Sequence, residues 1–410
     1  MAHNARSPRA LRVRRGVVKM SILMRLQVVF AVIAVLSGYP GAASARNSHR
    51  HYATTASDIL DVEAELVPVK AREYAFVDDV IDAAKQKVAG MAQDRPGALQ
   101  AFQAIDQILV TRNVIYPGSG LIQYFHDGLT PRQLSNADFD AARLSSHNQR
   151  RLAVMAANRG KPFYVLDCDT ASFLYLAIAD ALKLPVQLVE VPGHNFVRWS
   201  FPDGTHLNFE TMDGIERPDD YYLTGYQVLQ STIKPGFFMS AMTHDDVMGY
   251  VRMLRGGGWG ARADFVRAKR DYDAARNLRP GSPAPLNGES WVFGTCTPDT
   301  CRDGARAVGY AQQAVALWRT GNYLDTLACA QASAGDYAGA LVSEQAALVL
   351  DSSAEMRADL AAIQARQICA NQFPPVAAQG PSALRQPGFF VLPPARPAKT
   401  VLPRRLMGND

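Results

Sequence analysis

The stretch Asp167–Trp199, DCDTASFLYLAIADALKLPVQLVEVPGHNFVRW, decides how this chain is read. TASFLYLAIADALKL is apolar at helical spacing and stops at Pro185, so a long helix begins beside Cys168. VQLVEV is β-rich and almost continuously apolar, as a buried strand is. HNFVRWS and THLNFET follow as two further strands, joined by FPDG, whose residues suit a hairpin turn. Upstream, VDDVIDAAKQKVAGMAQ and PGALQAFQAIDQILV carry apolar residues at helical spacing. NADFDAARLSSHNQRRLAVMAANRG reads as a helix or helix pair, and KPFYVL as a short extended segment running into Asp167. Helices, one long helix and then an antiparallel sheet make an α+β fold.

Cys168 and His194 are the chemical question in this stretch. A buried cysteine is ordinarily structural. Cys168, however, stands where an extended segment enters a helix. Unpaired backbone N–H groups and the helix dipole favour a thiolate there, and the same N–H groups suit an oxyanion. Asp167 and Asp169 work the other way if their carboxylates turn towards the thiol, although Asp169 is also placed to cap the helix. His194 opens a strand after Pro-Gly, and alternation puts it on one face with Phe196 and Arg198. On the next strand His206, Asn208 and Glu210 share a face. A polar residue there fixes the tautomer of His194 and leaves its other nitrogen to take the thiol proton. Glu210 stands slightly ahead of Asn208 for this role, and His206 reads as a solvated strand residue.

A cysteine at a helix start, an LGLPV-like helix end (LKLPV here), a PGHxFVR strand and an NxE strand together resemble the bacterial transglutaminase-like superfamily. The resemblance covers about 150–225. It implies a papain-like fold in which Cys168 attacks a carboxamide or peptide carbonyl to form a thioester, with His194 as base. Where the family usually has Asp, this chain offers Glu210, or Asn208 two residues earlier. The resemblance also admits relatives that have lost catalysis, so a degenerate, non-catalytic scaffold is the alternative. The substrate class implied is a peptide or protein, including cell-wall peptide.

From about residue 249 the texture turns to Ala-rich helix pairs. Aligned on Leu278, Leu317 and Leu350, the chain repeats small residues at Ala275, Ala314 and Ala347 and at Ala268, Ala307 and Ala340. Phe265 and Tyr337 match further back, as do Ala263 and Gly335. Small residues let paired helices approach closely, and the aromatic and leucine positions are expected to fill the space between pairs. The spacing, with AxAxxGDYxxALxxxxxAL at its centre, resembles tetratricopeptide repeats, which would hold a protein partner. RGGGWG at 255–260 falls in the first helix of a repeat and is expected to loosen it.

The organisation expected is a leader over 1–45, a transglutaminase-like domain over 46–235, an all-α repeat domain over 240–372 and a Pro-rich tail over 373–410. The formal charge of +5 is concentrated in the leader. Residues 1–45 hold seven Lys/Arg and no acid, and without them 36 basic residues face 38 acidic ones. The basic pI therefore does not signal nucleic-acid binding. A basic segment, an apolar run from Val28 to Leu36 and GYPGAASA follow one another as in a secretory signal peptide cleaved after Ala45. The mature chain is then periplasmic or secreted, and touches a membrane only if the leader is uncleaved. The tail carries eight prolines in 38 residues and is expected to be extended or disordered.

Five cysteines in an exported chain leave one thiol free. The short CTPDTC segment favours a Cys296–Cys301 bridge. A helical offset of ~9 Å between Cys329 and Cys369 argues against a second one. No cluster has zinc spacing, no acidic loop suits calcium, and no glycine loop suits phosphate or a dinucleotide, so no metal or cofactor is expected.

Overall fold

Asp94 starts a helix by accepting the Gly97 N–H on its carboxylate at 2.9 Å, with a proline in the first turn where a missing N–H costs nothing. That helix, α3 (Arg95–Thr111), follows α1 (Thr55–Glu63) and α2 (Ala71–Lys87). The computed structural model describes residues 50–116, 124–233, 236–296, 301–351 and 353–369. The leader over 1–45 and the tail over 373–410 lie outside the described residues. After α3, β1 (Val114–Ile115) pairs in parallel with β2 (Tyr164–Val165). Between them lie α4 (Phe125–Gly128), α5 (Asn136–Leu144), a 3-10 turn (Ser146–Arg151) and α6 (Leu152–Ala157).

Next comes α7 (Cys168–Leu182), which begins because Asp167 closes a capping box. Its carboxylate accepts the Thr170 N–H at 3.0 Å, and Thr170 Oγ1 accepts the Asp167 N–H at 2.7 Å. Asp167, not Asp169, is thus the cap. Ten consecutive residues, Thr170 to Ala179, are buried, as an almost wholly apolar helix must be. Lys183 ends it in the left-handed region at φ 56°.

The chain then makes an antiparallel sheet in sequence order: β3 (Val186–Val191), β4 (His194–Ser200), β5 (His206–Glu210) and β6 (Ile215–Glu216). The register sets Val191 opposite His194, Val197 opposite Phe209 and Arg198 opposite Asn208. Leu188, Val197, Trp199, Leu207 and Phe209 point into a core shared with α3 and α7. Val189, Val191 and Phe196 point the other way, into a second core. Behind the sheet come α8 (Asp219–Gly225) and α9 (Gln230–Ile233).

Seven helices complete the described chain: α10 (His244–Ala261), α11 (Phe265–Leu278), α12 (Pro283–Thr295), α13 (Gly304–Leu317), α14 (Gly321–Ser333), α15 (Tyr337–Leu350) and α16 (Ala354–Gln364). They pack as successive pairs, and α10, α12, α14 and α16 also pack each on the next. The three aligned leucines are the last residues of α11, α13 and α15. The six aligned alanines are all fully buried. Asp264, Asp303 and Asp336 cap those helices in the same way, each accepting a backbone N–H three residues on at 2.9–3.0 Å. The leucines fill the space between pairs only in part: Leu278 packs against the main core, whereas Leu317 is 37% and Leu350 50% exposed.

The glycines of RGGGWG do not loosen α10. They let neighbours press against it: a Cβ on Gly256 would lie 2.9 Å from Tyr272 Cε1, and one on Gly258 2.5 Å from Tyr124 Oη.

The described residues belong to one compact unit. The second face of the sheet is covered by residues on both sides of 240: Tyr222, Phe237 and Phe238 join Leu286, Trp318 and Tyr323 over Val189, Val191 and Phe196. Two buried arginines tie the halves together. Arg255 of α10 holds Asp271 with Nε at 2.6 Å and Nη2 at 2.7 Å, and donates from Nη1 to the Val62 carbonyl at 2.6 Å. Arg279 pairs with Glu190 of β3 and donates to the Phe237 carbonyl at 2.9 Å. Among the described residues no helix is long and apolar enough to cross a membrane.

Candidate active site

Cys168 is the first residue of α7 and the one free cysteine of the five. Cys296 pairs with Cys301 at a Cα separation of 6.0 Å, and Cys329 with Cys369 at 5.4 Å. The second bridge corrects the sequence expectation. The helical offset does not apply, because α16 stops at Gln364, Arg366 turns in the left-handed region at φ 54°, and Cys369 lies beyond the helix. Asp359 offers a carboxylate oxygen within 4.8 Å of both sulfurs. This is the one group of three metal-ligating side chains so close together among the described residues, and its sulfurs are bonded to each other.

His194 begins β4, and its Nε2 lies 2.7 Å from Oε2 of Glu210 on β5. Both side chains are shielded, His194 9% and Glu210 2% exposed. Glu210 also accepts the Met212 N–H at 3.3 Å and the Tyr222 hydroxyl at 3.4 Å. Glu210 is therefore the residue that contacts the imidazole. Asn208 is committed elsewhere: it accepts Arg198 Nε at 2.7 Å and donates to Asp219 at 2.6 Å. His206 is half-buried rather than solvated, its Nε2 3.0 Å from the same Asp219. With Arg95 and Arg217 these residues line a separate open groove.

Asn195 and Tyr226 connect the surroundings of the thiol with those of the imidazole. The backbone N–H of Asn195, the residue after His194, faces the Cys168 thiol and favours its ionised form. Tyr226 stacks on His194 with ring centroids 4.8 Å apart and planes at 7°. Tyr226 also lies close enough to Cys168 for a thiolate there to oppose ionisation of its hydroxyl.

The electrostatics of the two groups differ. Burial opposes the imidazolium of His194, but the Glu210 carboxylate, by charge and hydrogen bond and with help from Asp169 and Asp213, outweighs it and holds the pKa above the ordinary histidine value. Burial first, then Asp169 and Asp167, push the Cys168 thiol well above the usual range and outweigh the Asn195 amide. The helix start thus does not yield a resting thiolate. Asp169 is itself pushed up to about 7, by burial and by Asp167. It accepts the side-chain amide of Asn195, and the Tyr250 hydroxyl at 3.0 Å. Sequence reasoning missed Asn195, Tyr226 and Tyr250. Asn195 had a signal, since it follows the histidine on an edge of the thiol, whereas Tyr226 and Tyr250 reach the site only by tertiary packing.

No protein-family model matches this chain, and no curated protein matches it.

Proposed function

We propose that this chain is an exported thiol enzyme of transglutaminase-like, papain-like type that cleaves or transfers an amide or peptide acyl group, with tetratricopeptide-like helix pairs binding a protein partner or substrate. The observation that carries this reading is the shielded His194–Glu210 pair beside the helix start that bears Cys168. Glu210 holds Nε2, which leaves Nδ1 to accept the thiol proton. Because the thiol is neutral at rest, proton transfer to His194 accompanies attack by sulfur on the carbonyl carbon. The first N–H groups of α7 stabilise the oxyanion. The imidazolium, stabilised by Glu210, then gives its proton to the departing amine, and water hydrolyses the thioester. The substrate is a peptide or protein, cell-wall peptide included. Two disulfides fit an oxidising compartment outside the cytoplasm.

The alternative, a non-catalytic scaffold on which the repeats do the work, draws support from one observation: burial, with two neighbouring aspartates, holds the thiol neutral. Incubating the protein with peptide and amide libraries and weighing the intact chain separates the two. An acyl adduct on Cys168, absent from Cys168→Ala, supports the enzyme; no adduct with any library supports the scaffold.

A further inference from the structure

We propose that Asp169 is a positioning residue that holds Asn195 against the Cys168 thiol and that Tyr250 makes the repeat region part of this device; the proposal rests on the reading of Cys168 as nucleophile. Four residues from three parts of the chain form the chain of contacts. Asn195 presents its backbone N–H to the thiol. The β4–β5 pairing starts at Val197 opposite Phe209, two residues further on. The Asn195 side-chain amide, buried, donates to Oδ1 of Asp169, the residue next to the thiol on α7. Tyr250 on α10 donates its hydroxyl to the same carboxylate, 3.0 Å from Oδ1 and 3.2 Å from Oδ2.

The carboxylate has two opposed effects on sulfur. Its charge opposes the thiolate, while its two accepted bonds fix the amide that stabilises the thiolate. Substitutions separate the two. Asp169→Asn keeps a side-chain oxygen for both bonds and removes the charge. Asp169→Ala removes both. Tyr250→Phe keeps the charge at the alkaline pH where the thiol titrates, removes the hydroxyl dipole that neutralises part of it, and loosens the anchor. The hydroxyl belongs to a helix 81 residues away in sequence, so an effect at sulfur requires the contact.

The test is the pH profile of iodoacetamide alkylation of Cys168 in the full chain with both disulfides intact, Cys168→Ala serving as the blank. No substrate is needed. In Asp169→Asn the midpoint falls by about one pH unit, and the rate at neutral pH rises about threefold, the gain in thiolate being partly offset by its lower nucleophilicity. In Asp169→Ala the midpoint lies above that of Asp169→Asn. In Tyr250→Phe it moves the other way, above wild type. Coincident Asn and Ala profiles, or a Tyr250→Phe profile lying on wild type, overturn the proposal. If Asp169→Ala does not fold, the opposite shifts of Asp169→Asn and Tyr250→Phe decide it alone. Failure of the catalytic reading shows separately, as no acyl adduct on Cys168 with normal shifts in these profiles.

Discussion

His194 and Glu210 are joined by a 2.7 Å hydrogen bond between neighbouring strands, while Asn208, two residues earlier on the same face, bonds Arg198 and Asp219 instead. Glu210→Gln should therefore lower turnover by one to three orders of magnitude with little change in KM, because it removes charge that stabilises the imidazolium only as the proton moves. Asn208→Ala should leave turnover within about threefold and lower stability by about 1–2 kcal/mol, because the Nε of buried Arg198 loses its acceptor while Nη1 and Nη2 keep theirs. Steady-state kinetics and melting curves of the two variants check this; a larger turnover loss from Asn208→Ala would reassign the third residue.

Cys168→Ala and His194→Ala should each abolish acyl-adduct formation while leaving both disulfides formed; the melting temperature should stay near wild type in Cys168→Ala and fall in His194→Ala, which strands the buried Glu210 carboxylate. Cys168→Ala is the smaller change. Replacing His194 removes the general base and so costs several orders of magnitude in rate. Near-normal turnover in either would end the site assignment.

The pH dependence has a definite sign. His194 must be neutral to accept the proton, and Glu210 holds its pKa above the ordinary value. The acid limb of kcat/KM should thus titrate above about 6.5, and Glu210→Gln should move it to lower pH. The raised thiol carries a companion expectation: free Cys168 alkylates at neutral pH more slowly than a model thiol peptide. Faster alkylation would show that the buried aspartates do not control sulfur.

Glu344 tests the repeat region. It is fully buried on α15, close to the acids Asp325 and Asp359. Burial, with Asp359, pushes its pKa up to about 7 although Asp325 works against this. An acid whose folded pKa exceeds its unfolded one binds more protons when folded, so stability falls as pH rises from about 4.3 through about 7. Glu344→Gln removes that loss. The melting temperature should rise by roughly 3–6 °C at pH 8 and change little near pH 5. Equal shifts at both pH values would contradict it.

The Cys329–Cys369 bridge fastens the end of the described chain to α14 across 40 residues. Cys329→Ser with Cys369→Ser should cost about 2–4 kcal/mol, read by denaturant unfolding, with no effect on the Cys168 adduct.

Much of this architecture is legible in the residues themselves. The boundaries of α7 follow from Asp167, Pro185 and the apolar run between them, and the three main strands from their period. The repeat offsets are readable because an alanine at a helix seam admits no substitute of larger volume. The Asp264, Asp303 and Asp336 caps carry the same signal and are equally readable. Tertiary choices are less so. Which neighbour Asp169 meets depends on how α10 lies against the sheet, and no local pattern around Tyr250 encodes that. Cys369 escaped because a helix end beyond Gln364 set its reach. VQLVEV announced a strand covered on both faces, but not what covers it.

That covering bears on what happens when the chain is cut. The apolar second face of the sheet, Val189, Val191 and Phe196, is kept dry by Leu286, Trp318 and Tyr323. A gene fragment ending near residue 240 would encode strands with a wet apolar face, prone to self-association. The sheet and the helix pairs therefore depend on each other for solubility, and a chain cut between them should associate with itself.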